Sequence, residues 1–348
     1  MELTEDLVRR APKVLLHDHL DGGLRPATVR ELAAEVGHAL PAADDAALAA
    51  WFFQGGRGVD LARYLEAFAH TVAVLQTPDA LARVARECGE DLDADGVVYA
   101  EVRYAPELST SGGCTLDEVL DAWAAGFAAA PATIELRMLV CAMRNGDRAA
   151  EVVDAAIRAR DRGLPVVGVD LAGPELGYPA ARHAAALATA RAAGLHITLH
   201  AGEADGPASI ADALDQGAER LGHGVRVVED LGADGTPGAI ARRVLEEGST
   251  LEVCPTSNLH TGVAASYAEH PVQRLRSAGF RVTISTDNRL MSGVTLTDEL
   301  LAGVAAFGWG LEDLQELTEG ALQAAFCDEP TRTALAAAIT RGYAALRP

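Results

Sequence analysis

Lysine is almost missing from the chain: Lys13 is the only one, and Lys and Arg together number 29 against 50 acidic residues, a net charge of -21. A nucleic-acid backbone would be repelled by that balance, so no nucleic acid is expected as partner. A neutral or cationic small molecule suits it better. Cysteine is scarce as well. Cys88, Cys114, Cys141, Cys254 and Cys327 are odd in number and widely spaced, which excludes a disulfide framework and points to a reducing compartment. No run is apolar for long enough to span a bilayer, so no membrane partner is expected. The opening Met1-Glu2-Leu3-Thr4-Glu5-Asp6 is acidic where a secretory signal would be basic and then apolar, and a cytoplasmic protein is expected. Nor does any Pro-, Gly- or Ser-rich linker divide the chain, so residues 1–348 are read as a single domain.

What the chain has is alternation. With 49% hydrophobic residues, short apolar runs alternate with long alanine-rich helical stretches. Strands are expected at 13–17, 97–104, 134–140, 166–171, 196–200, 220–223, 250–254 and 281–285, with helices such as 149–162, 180–193, 210–216 and 237–247 between them. Eight strands alternating with helices predict an α/β fold, a closed (β/α)₈ barrel of the TIM type. The helical region from about 27 to 94 is too long for one crossover and reads as an insertion after strand one. A helical segment from about 297 to 345 should close the outside.

Polar residues gather where the strands end. His17 and His19, one residue apart after Val14-Leu15-Leu16, project to one face if strand one continues. Strand five ends in His200-Ala201-Gly202-Glu203, strand six in His223, strand eight in Thr286-Asp287-Asn288. In such barrels the carboxyl ends of the strands carry the catalytic groups. Three histidines and a carboxylate from strands one, five and eight would fill a zinc shell and leave room for a water, whose pKa a bound zinc lowers to about 7. Each residue has a plainer reading: a single strand-end histidine as hydrogen-bonded scaffolding, Asp287 as a helix N-cap, Glu203 as a solvated loop residue. All of these falling on one barrel face favours the metal site.

The motifs His17-x-His19-Leu20-Asp21-Gly22, Asp170-Leu171-Ala172-Gly173, His200-Ala201-Gly202-Glu203, Gly222-His223-Gly224, Cys254-Pro255-Thr256-Ser257-Asn258 and Ser285-Thr286-Asp287 resemble, in order and interval, those of the adenosine deaminase family. The match runs from about Lys13 to Met291. The resemblance implies one zinc ion per chain held by His17, His19, His200 and Asp287. It implies that Glu203 protonates purine N1 and that His223 orients and helps deprotonate the attacking water. Gly173 would meet N3 through its backbone, and Asp21 a ribose hydroxyl. The chemistry agrees: addition of water at C6 breaks aromaticity, so N1 needs a proton, and a neutral carboxylic acid supplies it. The product is inosine, with ammonia released, and the expected partner is a purine nucleoside. Leu61, Tyr64, Leu65 and Phe68 recur at helical spacing. Core packing is one reading; in the resembled family this segment covers the nucleoside, which makes a lid the other.

The chain departs from the family's usual pattern at Asp18, at Pro174 and at Asn288, where a second Asp is common. N7 of a purine accepts only, and the Asn288 amide can donate to it at any ordinary pH. Two-metal barrel hydrolases bridge their metals with a carboxylated lysine at strand four, and the solitary Lys13 precedes strand one. Cytidine-deaminase-type enzymes need His-x-Glu with Pro-Cys-x-x-Cys, and neither occurs. Adenine itself, another N6-aminopurine nucleoside such as aminodeoxyfutalosine, and an inactive barrel kept for binding stay open, as does assembly into a homo-oligomer.

Overall fold

The structure, a computed structural model, describes residues 3–55 and 61–347, with the side chains of 54–66 outside the described set. Strands β1 (Lys13–His19), β2 (Val97–Tyr104), β3 (Glu135–Met143), β4 (Val166–Ala172), β5 (His196–Ala201), β6 (Arg220–His223), β7 (Thr250–Val253) and β8 (Val282–Ile284) pair in parallel in sequence order. The ring closes just beyond β8. Asp287 donates its N–H to the His17 carbonyl at 3.0 Å, and its own carbonyl accepts from His19 N–H at 2.7 Å. This is the expected (β/α)₈ barrel, with β1 and β3 running on to His19 and Met143.

Four helices follow β1: Pro26–Val36, Asp45–Gly55, Leu61–Val74 and Pro78–Ala94. The first begins with Pro26 and stops at Gly37, whose φ of 69° closes the helix end. The last is capped by Thr77, which accepts from Ala80 N–H, and buries Leu81, Val84, Ala85, Cys88 and Leu92 along one face. It packs against the helix Leu116–Ala128 as part of the outer ring, so the insertion proper is the three helices before it. The expected C-terminal segment is three helices, Leu296–Phe307, Leu311–Ala324 and Glu329–Leu346, the first ended by Gly308 at φ 72°.

Barrel interiors are usually layers of Val, Ile and Leu. Here charged groups occupy part of that space. Glu101 and Arg103 alternate on β2 and point the same way. The Arg103 guanidinium donates to Asp170 Oδ2 and Glu252 Oε2, both at 2.6 Å, and to the Leu16 carbonyl at 2.7 Å. Arg220 donates to the other Glu252 oxygen at 2.6 Å and also pairs with Glu101, while Thr198 donates to Glu252 at 2.9 Å. All are buried, so each charge depends on its partner. Replacing Arg103 by Met would leave Asp170 and Glu252 short of their cation. Breaking such buried pairs typically costs about 3–5 kcal/mol, and urea denaturation of Arg103→Met should show a loss in that range.

Candidate metal centre and active site

The strand ends bring together every metal-site residue expected from sequence. Pairing of β1 with β2 slips between Leu15 and Asp18, a bulge that re-aims the strand where it delivers its histidines. The rings of His17 and His19 have centroids 5.4 Å apart. Candidate ligand atoms of His17, His200, His223 and Asp287 all lie within 4.8 Å of one another. His19 Nε2 joins them, 3.2 Å from His200 Nε2 and 3.3 Å from Asp287 Oδ1. Gly222 makes the crowding feasible: a Cβ there would lie 3.1 Å from His17 Cε1 and 3.0 Å from the His200 Cα.

The groups behind these rings aim their lone pairs. His17 Nδ1 lies 2.9 Å from Glu252 Oε2, and His200 Nδ1 lies 2.8 Å from Asp170 Oδ2. Ionised carboxylates only accept, so each Nδ1 carries the ring proton and each Nε2 turns a lone pair inward. His17 Nε2 is buried and makes no hydrogen bond, although Asp287 Oδ1 is 3.2 Å away. Lone pairs of two imidazoles and a carboxylate facing one another fit a cation between them. Burial alone would raise the Asp287 pKa, but the neighbouring His17, His223 and His19 rings hold it well below the usual range. Its second oxygen accepts from Ser257 Oγ at 2.6 Å.

Among the described residues only two besides glycine have positive φ, His223 at 61° and Asp287 at 59°. Both sit at this centre, where a conformation costing of order 1–3 kcal/mol each is held by the surrounding pairing.

Glu203 faces the centre from the loop after β5, with Oε2 3.4 Å from His223 Nε2 and Oε1 accepting from Thr261 Oγ1 at 3.0 Å. Burial, then the negative charges of Asp287 and Glu175, push its pKa up to about 8, so the carboxyl is neutral at pH 7. The loop is shaped by Glu175. That carboxylate accepts from the backbone N–H of Gly202 (2.6 Å), Glu203 (3.1 Å), Ala204 (2.7 Å) and Asp205 (3.0 Å), and from Ser209 Oγ (2.6 Å).

A cavity of about 360 Å³ opens on this centre, and His19, Asp21, Phe68, Gly173, His200, Glu203, His223, Asp287 and Asn288 all line it. Asp21 is buried, and that burial raises its pKa to about 7. Gly173, at φ 94°, exposes backbone to the cavity. Asn288 presses on Gly22: a Cβ at residue 22 would lie 1.9 Å from Asn288 Oδ1. Of the expected stripe, Phe68 lines the cavity, joined by Ala69 and Val72 of the same helix. Leu61, Tyr64 and Leu65 stand at that helix's start, where side chains lie outside the described residues.

Asp18, between the two histidines, turns away and accepts from Thr286 Oγ1 at 2.8 Å and Arg289 Nε at 2.9 Å. The sequence reading missed Glu175, Arg103, Glu252, Ser257 and Asn258 as site residues. A signal existed for two of them, since Arg103 and Glu252 are charged residues within buried strands.

Fold and site together define a barrel hydrolase scaffold with a histidine–carboxylate centre at the carboxyl ends of its strands. The chain belongs to the adenosine deaminase family, whose model matches residues 12–341. It is similar to the adenosine deaminase of Mycolicibacterium vanbaalenii, 52% identical over 346 residues that cover 96% of this chain and 95% of the relative. Its fold is similar to that of an adenine deaminase from Arthrobacter aurescens, with TM-score 0.85 and 26% identity, covering 95% of this chain and 98% of the other. It is similar also to an amidohydrolase from Burkholderia ambifaria with bound zinc, with TM-score 0.87 and 26% identity, covering 99% of this chain and 95% of the other.

Glu175→Gln tests the loop and its charge together. Glutamine offers one accepting oxygen where several N–H groups converge, and losing hydrogen bonds to a charged group costs about 1.5–3 kcal/mol each. We expect kcat to fall roughly tenfold to hundredfold. A carboxyl can donate only while protonated, so any activity that needs a proton from Glu203 declines as pH rises through its pKa. Removing the Glu175 charge eases Glu203 ionisation, and the alkaline limb of the kcat/KM profile should move to lower pH.

Proposed function

We propose that this chain deaminates adenosine, and 2′-deoxyadenosine with it, to inosine and ammonia, using one zinc ion. The observation that carries the reading is a half-buried, neutral Glu203 opening on the same cavity as the histidine–carboxylate centre. His17, His19, His200 and Asp287 would hold the metal, supported by the inward lone pairs of His17 and His200. A bound zinc supplies a polarised water with a pKa near 7. The chain's own groups do the rest. Glu203 delivers a proton to N1 while oxygen adds at C6, which keeps charge from building on the ring. Asp287, anionic before the reaction, orients the incoming water. His223 faces the same oxygen from the other side. The Gly173 backbone would meet N3, Asp21 a ribose hydroxyl and Asn288 N7, a reading supported by all three lining the cavity. The helix carrying Leu61, Tyr64, Leu65 and Phe68 would cover the nucleoside and exclude water.

The free thiols, all five unpaired, support a reducing, cytoplasmic setting, and among the described residues no helix is long and apolar enough to cross a membrane. A buried carboxyl at Asp21 supports a nucleoside over adenine, because the base alone would leave it without a hydroxyl to bind.

Ammonia release from adenosine, adenine and aminodeoxyfutalosine by zinc-loaded protein decides the substrate. Adenosine should be fastest, and a preference for either alternative would overturn the reading. Glu203→Gln keeps the shape but has no proton to give N1. Its kcat should fall by about 10²–10⁴-fold with zinc content unchanged.

Asn288 has its own control. Asn288→Leu should lower kcat/KM for adenosine roughly ten- to hundredfold, as expected for a lost buried hydrogen bond. The same substitution should scarcely alter turnover of 7-deazaadenosine, which lacks the acceptor. Equal losses on both substrates would place Asn288 elsewhere in the mechanism.

A further inference from the structure

The imidazoles around the cavity do not all have the same kind of group behind them. His17 and His200 back onto carboxylates, whereas His223 Nδ1 lies 3.2 Å from Asn258 Nδ2. Asn258 in turn places Oδ1 3.2 Å from His270 Nε2, and His270 Nδ1 accepts the backbone N–H of Val272 at 3.1 Å. His223, Asn258 and His270 are all buried, which leaves the three side chains to satisfy one another.

The far end of this row fixes the direction of every bond in it. A backbone N–H only donates, so His270 Nδ1 has a lone pair and the ring proton sits on Nε2. That Nε2–H must meet an acceptor, so Asn258 turns its oxygen to His270 and its NH₂ to His223. An amide NH₂ only donates, hence His223 Nδ1 accepts and the single ring proton of His223 sits on Nε2. Nε2 is the atom facing the cavity, 3.4 Å from Glu203 Oε2.

We infer that Asn258 and His270 are positioning residues that hold His223 as a neutral ring protonated on Nε2, making it a hydrogen-bond donor to the oxygen added at C6. The inference rests on the deamination proposed above. It separates His223 from its neighbours in two respects. A protonated Nε2 cannot ligate a metal, so His223 drops out of the ligand set although its ring nitrogen lies within 4.8 Å of the other candidates. Nor can that atom accept a proton from the attacking water, so the proton must pass to another group at the centre, and the anionic Asp287 is the one placed to take it. The Nε2–H instead stabilises charge on the oxygen as it bonds to carbon, the part an oxyanion-hole donor plays.

The test is the ring ¹⁵N spectrum of zinc-loaded, full-length enzyme labelled at histidine, with His223 assigned by its disappearance in His223→Gln. The wild type should show His223 protonated on Nε2 and bare on Nδ1. In Asn258→Asp the carboxylate accepts where the amide donated, so the His223 proton should move to Nδ1. Its kcat should fall by about 10²–10³-fold, the loss typical of one removed oxyanion donor, with KM for adenosine little changed. His270→Gln can still donate to Asn258 and should keep most of the activity and the wild-type tautomer, whereas His270→Leu should lose both; equal losses in the two would mark a merely structural role and overturn the inference. A His223 ring protonated on Nδ1, or on both nitrogens, in the active wild type would overturn it as well, even if the Asn258 variant does not fold. The expected spectrum in a protein that leaves adenosine untouched would support the relay and count against the substrate reading alone.

Discussion

One guanidinium, that of Arg103, lies between two carboxylates in the middle of the barrel, 2.6 Å from Asp170 and 2.6 Å from Glu252. Each carboxylate also touches the Nδ1 of one histidine. Were the cation absent, burial would push both carboxyls toward their protonated forms. A protonated carboxyl can donate to Nδ1, which would move the ring proton to Nε2 and turn the inward lone pair away. The readiness of His17 and His200 to bind a metal therefore depends on a charge that touches neither ring. Buried ion pairs add little net stability, so what this cluster contributes is the orientation of two histidine rings.

Asp287 and Glu203 face the same cavity in opposite ionisation states. Histidines hold Asp287 anionic, and that negative charge, added to burial, helps keep Glu203 neutral. Two carboxyl groups pushed apart in this way can orient a water and deliver a proton at the same pH.

The barrel was legible in the sequence because its signal is local. Apolar runs of strand length recur with helical stretches between them, and His-x-His, His200-to-Glu203 and Thr286-Asp287 each sit at a strand end. The groups that tune these residues were not legible, because they are distant in the chain: Arg103 and Glu252 are 149 positions apart. Glu175 reads as a surface residue in Pro174-Glu175-Leu176-Gly177 until the β5 loop folds its N–H groups around it. Asn258 was visible only as part of a motif, without a role, since its direction depends on Val272 N–H beyond a second histidine. Asp18 stands out in sequence, and only the structure shows that it forms an ion pair with Arg289 at 2.9 Å.

Asp287 closes the ring between β8 and β1 with its backbone and reaches His17 and His19 with its side chain. The rim of the cavity is thus divided into a fixed half and a variable half. At the seam, any change of backbone displaces the Asp287 carboxylate from the two histidines, so insertions and altered loop lengths there are barred. Across the cavity, Met143 at the end of β3 and Gly173 just after β4 border the same space away from that seam. Over evolutionary time, or in a library of variants, changes of loop length that reshape the cavity can be accommodated only from that second side.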